Sequence, residues 1–105
     1  MTERPPTLLD PMLVGETDDI TFPCAKALKT GESITDAVIT TAWDHGVADP
    51  SAAAITSTPR QIVGTDVIQR VTGVVGGAWY RIKGVITLSS GRVLVGVGLL
   101  YGRTP

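Results

Sequence analysis

The sequence is poor in the residue types from which disulfide scaffolds and zinc domains are built. It has one cysteine and one histidine, which excludes an intramolecular disulfide and a zinc site made of these residue types. It has no asparagine, so it offers no acceptor for N-linked glycosylation. Aromatic residues make up only 5% of the chain. The scarce residues therefore exclude several protein classes before any pattern is considered.

Long apolar runs and a strong net charge are also missing. The late apolar stretch Val93–Gly102 is too short to cross a bilayer as a helix, and the proline-bearing start lacks a signal-peptide pattern. The net charge of −1 predicts no general affinity for nucleic acid. We therefore expect a soluble protein made inside the cell, with neither a membrane nor a nucleic acid as partner.

The charges are unevenly distributed along the chain. Residues 1–52 carry nine acids and three bases, a net charge of −6, whereas residues 53–105 carry one acid and six bases, a net charge of +5. Two interpretations stay open. The halves interleave in one compact molecule and their charges cancel, or acidic and basic faces dock copies or partners by complementary charge.

The abundant residues favour β-structure. Valine (12), isoleucine (8) and threonine (14) supply 34 of the 105 residues, and these β-branched side chains suit strands. Turn signals recur at the spacing typical of a sandwich or small barrel. We predict an all-β, immunoglobulin-like antiparallel sandwich of about seven strands over residues 16–105. Strands are expected near residues 18–24, 33–43, 66–72, 80–88 and 93–99, with weaker candidates at 52–57 and 60–63.

The last two predicted strands form a hairpin whose register follows from their apolar positions. Tyr80, Ile82, Ile86 and Leu88 share one side of the first strand, and Val93, Val95, Val97 and Leu99 share one side of the second. Both sets face the core only if Leu88 pairs with Val93, through a loop of two or four residues rather than three. This register is our prediction for the hairpin.

The opposite side of this hairpin is then a candidate docking face for another subunit. The alternative is a half-solvated face on which the stems of Lys83 and Val85 cover Gly96 and Gly98. The predicted face comprises Trp79, Arg81, Lys83, Val85, Leu94 and Leu100.

Residues 1–15 are predicted to form an extended N-terminal arm, because Pro5, Pro6 and Pro11 disfavour a helix. The arm is too apolar for a free disordered tail. Either it folds back on its own domain or it lies on a neighbouring molecule. Its candidate interface residues are Leu8, Leu9, Met12, Leu13 and Val14.

No catalytic, cofactor-binding or metal-binding residue is predicted. Asp44, His45 and Gly46 with Asp49 form the only cluster suited to acid–base or metal chemistry, and an exposed loop histidine explains it better. Cys24 continues the alternation of Ile20 and Phe22, so we expect a small core residue rather than a nucleophile.

Two further motifs have structural explanations. Residues 73–77 lack the Lys-Ser/Thr of a phosphate loop and read as a turn. Tyr80 enters its strand through Gly77, as the corner tyrosine of immunoglobulin-like sandwiches does when its hydroxyl binds nearby backbone. The weaker alternative is a sugar-binding platform made of Trp43, Trp79, Tyr80 and Tyr101.

Five short segments within residues 16–100 carry a family likeness through their order and spacing. They are residues 19–22 (DITF), 31–34 (GESI), 62–65 (IVGT), 77–82 (GAWYRI) and 86–92 (ITLSSGR). On these segments the chain resembles small immunoglobulin-like virion proteins of tailed bacteriophages. The arm is not part of the shared pattern.

The resemblance implies a non-enzymatic, multi-copy part of the particle that is made in the cytoplasm of the host bacterium. It favours a homo-oligomeric minor capsid or decoration protein whose partners are its own copies and the major capsid protein. The alternatives are a structural component of the head–tail junction, tail or baseplate, or a tail-tip module that recognises host-surface glycan.

Overall fold

The computed structural model describes residues 7–105, which form two facing β-sheets. The strands are β1 (Thr7–Leu8), β2 (Met12–Leu13), β3 (Thr17–Pro23), β4 (Ile34–Gly46), β5 (Gln61–Val63), β6 (Asp66–Thr72), β7 (Ala78–Leu88) and β8 (Val93–Arg103). The large sheet has the order β1–β8–β7–β4, with β2 also paired to β8, and the small sheet has the order β3–β6–β5. The 3₁₀ helix Ala52–Thr56 follows β4.

The division of the strands between the sheets is that of an immunoglobulin-like sandwich. Counted from β3, the first, third and fourth strands form the small sheet, and the second, fifth and sixth belong to the large sheet. Immunoglobulin domains separate their strands B, D and E from C, F and G in the same way. The predicted all-β sandwich is therefore confirmed.

The core lies between the sheets and is organised around Phe22. Side chains of β6 and β7, including Val67, Val71 and Ile82, are fully buried there. Phe22 of β3 packs over Gly84 of β7 and Gly96 of β8, where an added Cβ would lie 3.2 Å and 3.4 Å from its ring. The absence of side chains at these two glycines thus gives Phe22 its place.

The β7–β8 hairpin differs from the predicted register by one residue. Val85 pairs with Val95 and Arg81 with Leu99, and the Leu88 N–H donates to the Arg92 carbonyl at 2.9 Å. The loop therefore has three residues, and its last, Gly91, has a φ of +91°, as in a three-residue loop that ends in a glycine bulge. The prediction of a two- or four-residue loop was wrong.

This shift exchanges the two sides of β8. Leu94 and Leu100, predicted on the docking face, are core residues with 6% and 2% exposure. Gly96 and Gly98 also face inward, where Phe22 and Leu9 cover them, so the stems of Lys83 and Val85 do not. The residues of β8 that were predicted to face the core instead point away from it: Val93, Val95, Val97 and Leu99.

The segment at residues 52–57, a weak strand candidate, is the 3₁₀ helix. Alanine is a poor strand former, and the Asp49 carboxylate accepts a hydrogen bond from the Ser51 N–H, which turns the chain just before the helix. Ile55 is buried in the core. The helix therefore inserts an apolar side chain into the core as a strand would, without pairing to a sheet.

The described part of the arm lies along its own domain. The Leu9 N–H donates to the Leu99 carbonyl and the Val14 N–H to the Arg103 carbonyl, each at 2.9 Å, so this segment runs parallel to β8. Met12 is 5% exposed within the core, and Leu9 packs against the core. Leu8, Leu13 and Val14 are exposed, whereas residues 1–6 lie outside the described residues.

Of the two interpretations of the arm, the structure thus shows the fold-back one for residues 7–14. Met12 is buried within the domain and Leu9 packs partly against its core, whereas Leu8 remains 70% exposed. Loss of the arm would therefore reduce stability as well as remove exposed apolar surface.

We expect Met12→Ala to lower the free energy of unfolding by about 2 kcal/mol, because it removes a buried side chain and leaves a cavity. Leu13→Ala is the matched control, since Leu13 is adjacent, similar in size and exposed. Urea denaturation of both variants measures the difference. Equal losses would show that Met12 is not a core residue.

Candidate interaction surface

The side of the large sheet that faces away from the core is here called the outer face. The register places His45, Ala42, Thr40 and Val38 of β4 on it, together with Leu8 of β1. The residues of β7 and β8 on it are Trp79, Arg81, Lys83, Val85, Thr87, Val93, Val95, Val97, Leu99 and Tyr101. Four of the six predicted docking residues, Trp79, Arg81, Lys83 and Val85, therefore lie on the outer face.

The β8 part of the outer face is more apolar than the outside of the small sheet. On the outside of the small sheet, Asp19 pairs with Arg70 at 3.0 Å, and the hydroxyls of Thr17 and Thr72 share a hydrogen bond. The β8 strand, by contrast, is apolar on both of its sides, a pattern typical of strands that are covered on both sides. Within the described part of the chain its inner side is buried, whereas on its outer side Val93 is exposed and Val95, Val97 and Leu99 are only partly buried.

The uneven charge of the sequence largely cancels inside the molecule. Four bases of the C-terminal half form ion pairs with acids of the N-terminal half, so the interleaving interpretation accounts for most of the asymmetry. These pairs are Arg60–Asp36, Arg70–Asp19, Arg81–Asp44 and Arg92–Glu32. In the first three pairs both side chains are partly exposed, so each contributes little to stability, whereas the Glu32 side chain of the fourth pair is only 6% exposed.

Several charges form no ion pair within residues 7–105, among them Lys26, Lys29, Asp66 and Arg103, and two further sets lie beside apolar surface. Lys83, near the middle of the outer face, forms no ion pair with any of residues 7–105. The same holds for Asp10, Glu16 and Asp18, which line a groove of about 240 Å³ between the arm and β3. This region is here called the open side.

The open side continues along the edge of the sandwich as a second, apolar groove of about 320 Å³. Leu9 and Ile20 line both grooves, and the apolar one is also lined by Phe22, Leu94 and Gly96. The groove exists because β3 is the edge of the small sheet and nothing among residues 7–105 pairs with its free side. The open side therefore combines apolar surface with an acidic end.

Three rings stand side by side at one end of the outer face. The His45 and Trp79 rings are 5.3 Å apart and nearly parallel, and the Trp79 and Tyr101 rings are 4.8 Å apart. Because β7 lies between β4 and β8, the Trp79 ring has a ring neighbour on each side. Tyr80 is buried, and Trp43 donates its indole N–H to the Val47 carbonyl. The four aromatic residues considered for a sugar platform are therefore not assembled into one surface.

Tyr80 is the corner residue that the sequence predicted. Its hydroxyl accepts a hydrogen bond from the Val75 N–H at 2.8 Å and donates one to the Asp49 carboxylate at 2.7 Å. Burial, followed by the hydrogen bond to Asp49, raises the pKa of the Tyr80 hydroxyl to about 12. The sequence signal did not reveal Asp49 as the partner, because 31 residues separate it from Tyr80.

The candidate acid–base cluster is divided between two environments. Asp49 belongs to the Tyr80 corner, whereas Asp44 bonds His45 at 2.5 Å on the surface. The hydrogen bond from His45, and then Arg81, hold the pKa of the Asp44 carboxyl below its ordinary value.

Cys24 is buried, as expected, with its thiol 3.5 Å from the Phe22 carbonyl. Residues 7–105 contain no group of three or more side chains arranged to hold a metal ion.

No protein-family model matches the chain, and none of the curated proteins searched matches its sequence. Within residues 7–105, no helix has the length and apolar character needed to cross a membrane.

Proposed function

We propose that this chain is a non-enzymatic structural protein of a tailed-bacteriophage virion, a minor capsid or decoration protein that docks through its outer face. The observation that carries the proposal is the apolar outer side of β8, where Val93 is exposed and Val95, Val97 and Leu99 are only partly buried among residues 7–105. A sandwich fold alone does not define a function. The resemblance of the five sequence segments to virion proteins supplies the rest.

The outer face has enough apolar surface for an association that is weak for one copy and strong for many. Val38 and Val93 are 53% and 38% exposed. Burying a half-exposed valine contributes about 1 kcal/mol before the costs of association are subtracted. Repeated copies on a symmetric shell would multiply this contribution through avidity.

The absence of enzymatic activity is part of the proposal, and two contacts support it. Asp49 is held in a structural corner, and His45 is exposed and stacked on Trp79. A station at the head–tail junction, tail or baseplate is the alternative, because the same face would serve there. The glycan-binding alternative receives less support, since the Trp79 ring lies between the rings of His45 and Tyr101 and Tyr80 is buried.

The test is to purify phage particles from the bacterium that carries the gene and to locate the protein by cryo-electron microscopy. We expect a fixed number of copies at symmetry-related positions, with the outer face in contact with another subunit. A protein that is abundant in the lysate but absent from purified particles would overturn the proposal.

The double variant Arg81→Glu, Lys83→Glu tests the face itself in the same particles. It should fold with an almost unchanged melting temperature and occupy fewer positions, because two bases on the docking face become acids. Lys26→Glu, an exposed charge reversal outside the outer face, is the matched control. Full occupancy by the double variant would remove the outer face from the proposal.

A further inference from the structure

The outer face is apolar and basic, and the part of the molecule that matches it in charge is the open side. Arg81 and Lys83 lie on the central strand of the outer face, and Asp44 neutralises only the first. On the open side, Asp10, Glu16 and Asp18 form no ion pair within residues 7–105, although Asp18 attracts Arg70 at longer range, and all three line the groove with apolar residues. One copy of the chain therefore carries both halves of a complementary contact.

A two-fold dimer through the outer face would not use this complementarity. In an isologous contact, residues near the symmetry axis face their own copies. Because Lys83 is near the middle of the face, such a dimer would bring the two Lys83 ammonium groups together. Like charges placed opposite each other suppress association. The unpaired acids would stay outside the contact.

We propose that the outer face is covered by the open side of a second copy, in a head-to-tail contact. Lys83 and Arg81 of one copy then face Asp10 and Asp18 of the next, and the exposed valines of β4 and β8 cover the apolar groove residues. A head-to-tail contact repeats and closes into a ring or extends as a filament. The inference rests on the proposed function, since it names the partner that covers the outer face within a multi-copy assembly.

The experiment measures self-association of the purified full chain by sedimentation velocity at low ionic strength. Two double variants separate the surfaces: Arg81→Glu, Lys83→Glu reverses the outer face, and Asp10→Lys, Asp18→Lys reverses the open side. We expect each variant alone to associate at least tenfold more weakly than the wild type, and added salt to weaken wild-type association. An equimolar mixture of the two variants should regain assembly, because each then meets a complementary surface.

The open-side variant alone distinguishes the modes of contact. A two-fold dimer through the outer face would leave its association unchanged, and that result would overturn the proposal. So would a wild-type chain that remains monomeric at millimolar concentration, or a mixture that fails to assemble. Lys26→Glu and Asp66→Lys are controls for nonspecific charge effects, and each variant's melting temperature checks its folding.

The location of the protein in particles is measured in a separate experiment, so the virion proposal and the head-to-tail contact are tested independently. A chain that occupies particles but does not self-associate would contradict the head-to-tail contact and leave the virion proposal standing. A chain that self-associates in this way but is absent from particles would contradict the virion proposal and leave the contact standing.

Discussion

Replacing Tyr80 with phenylalanine is expected to lower the free energy of unfolding by about 3 kcal/mol. The ring stays in the core, so the change removes only the hydroxyl that joins Asp49 to the Val75 N–H. A buried carboxylate oxygen and a backbone donor then lose their shared partner, and unpaired buried polar groups are costly. Chemical denaturation of the two proteins measures the loss.

The same variant should change how stability depends on pH. The folded-state pKa of Tyr80 is about 12 against an ordinary value of 10.0, so its contribution is fully present below pH 10 and is lost as the pH rises to 12. The loss amounts to about 2 to 3 kcal/mol. Tyr80→Phe should lack this decline, whereas Tyr101→Phe, which changes the surface tyrosine, should retain it. An identical alkaline decline in wild type and Tyr80→Phe would contradict the corner assignment.

Truncating Phe22 to alanine is expected to cost about 3 kcal/mol, because this ring is the main contact between the small sheet and the glycines of β7 and β8. The loss arises from a cavity, since neither Gly84 nor Gly96 has a side chain that can move into the space. Thermal and urea denaturation both measure it. Val63→Ala, which truncates an exposed side chain of the same sheet, should change stability little.

A double-mutant cycle tests the cause of this loss. Gly84→Ala alone should cost about 1 kcal/mol, because its Cβ would lie 3.1 Å from Ile39 and 3.2 Å from Phe22. In the Phe22→Ala background the added methyl enters the cavity, so the two losses should sum to more than the double variant shows. Strict additivity would show that Phe22 and Gly84 do not share this contact.

The sequence predicted those strands whose two sides differ in character. In β3 the apolar residues alternate with polar ones, and Ile20, Phe22 and Cys24, which the alternation placed on one side, all lie in or against the core. Tyr80 was also predicted, because the residue and its preceding glycine act locally. The alternation of apolar and polar residues and the turn at a glycine depend on neighbouring residues, so both can be recognised from the sequence alone.

The β8 strand could not be oriented by alternation, because valine and leucine occupy both of its sides. Two other signals pointed to the correct register. Gly96 and Gly98 share one side of the strand, where glycine marks close approach by another group. Gly91 ends the loop in the conformation that a three-residue turn requires. The partners of these glycines, Phe22 and Leu9, are distant in sequence.

The position of the arm and the partner of Asp49 also depend on contacts between distant segments. Gln69 is a further example, since it occupies an inward position between Val67 and Val71. Its side-chain amide donates to the Thr58 carbonyl at 2.7 Å, which no local pattern reveals. Side chains of this kind are recognised only when the packing partner is known.

The two apolar sides of β8 have a consequence for folding kinetics. A hairpin misaligned by one residue would still bury the four aliphatic side chains of the other side of β8. The correct and the misaligned pairing of β7 with β8 therefore compete during folding. The misaligned form presents valines where Phe22 must enter, and the small sheet cannot close over it. The inward glycines therefore favour the native alignment, because the hairpin shifted by one residue has valine side chains in the space that Phe22 needs.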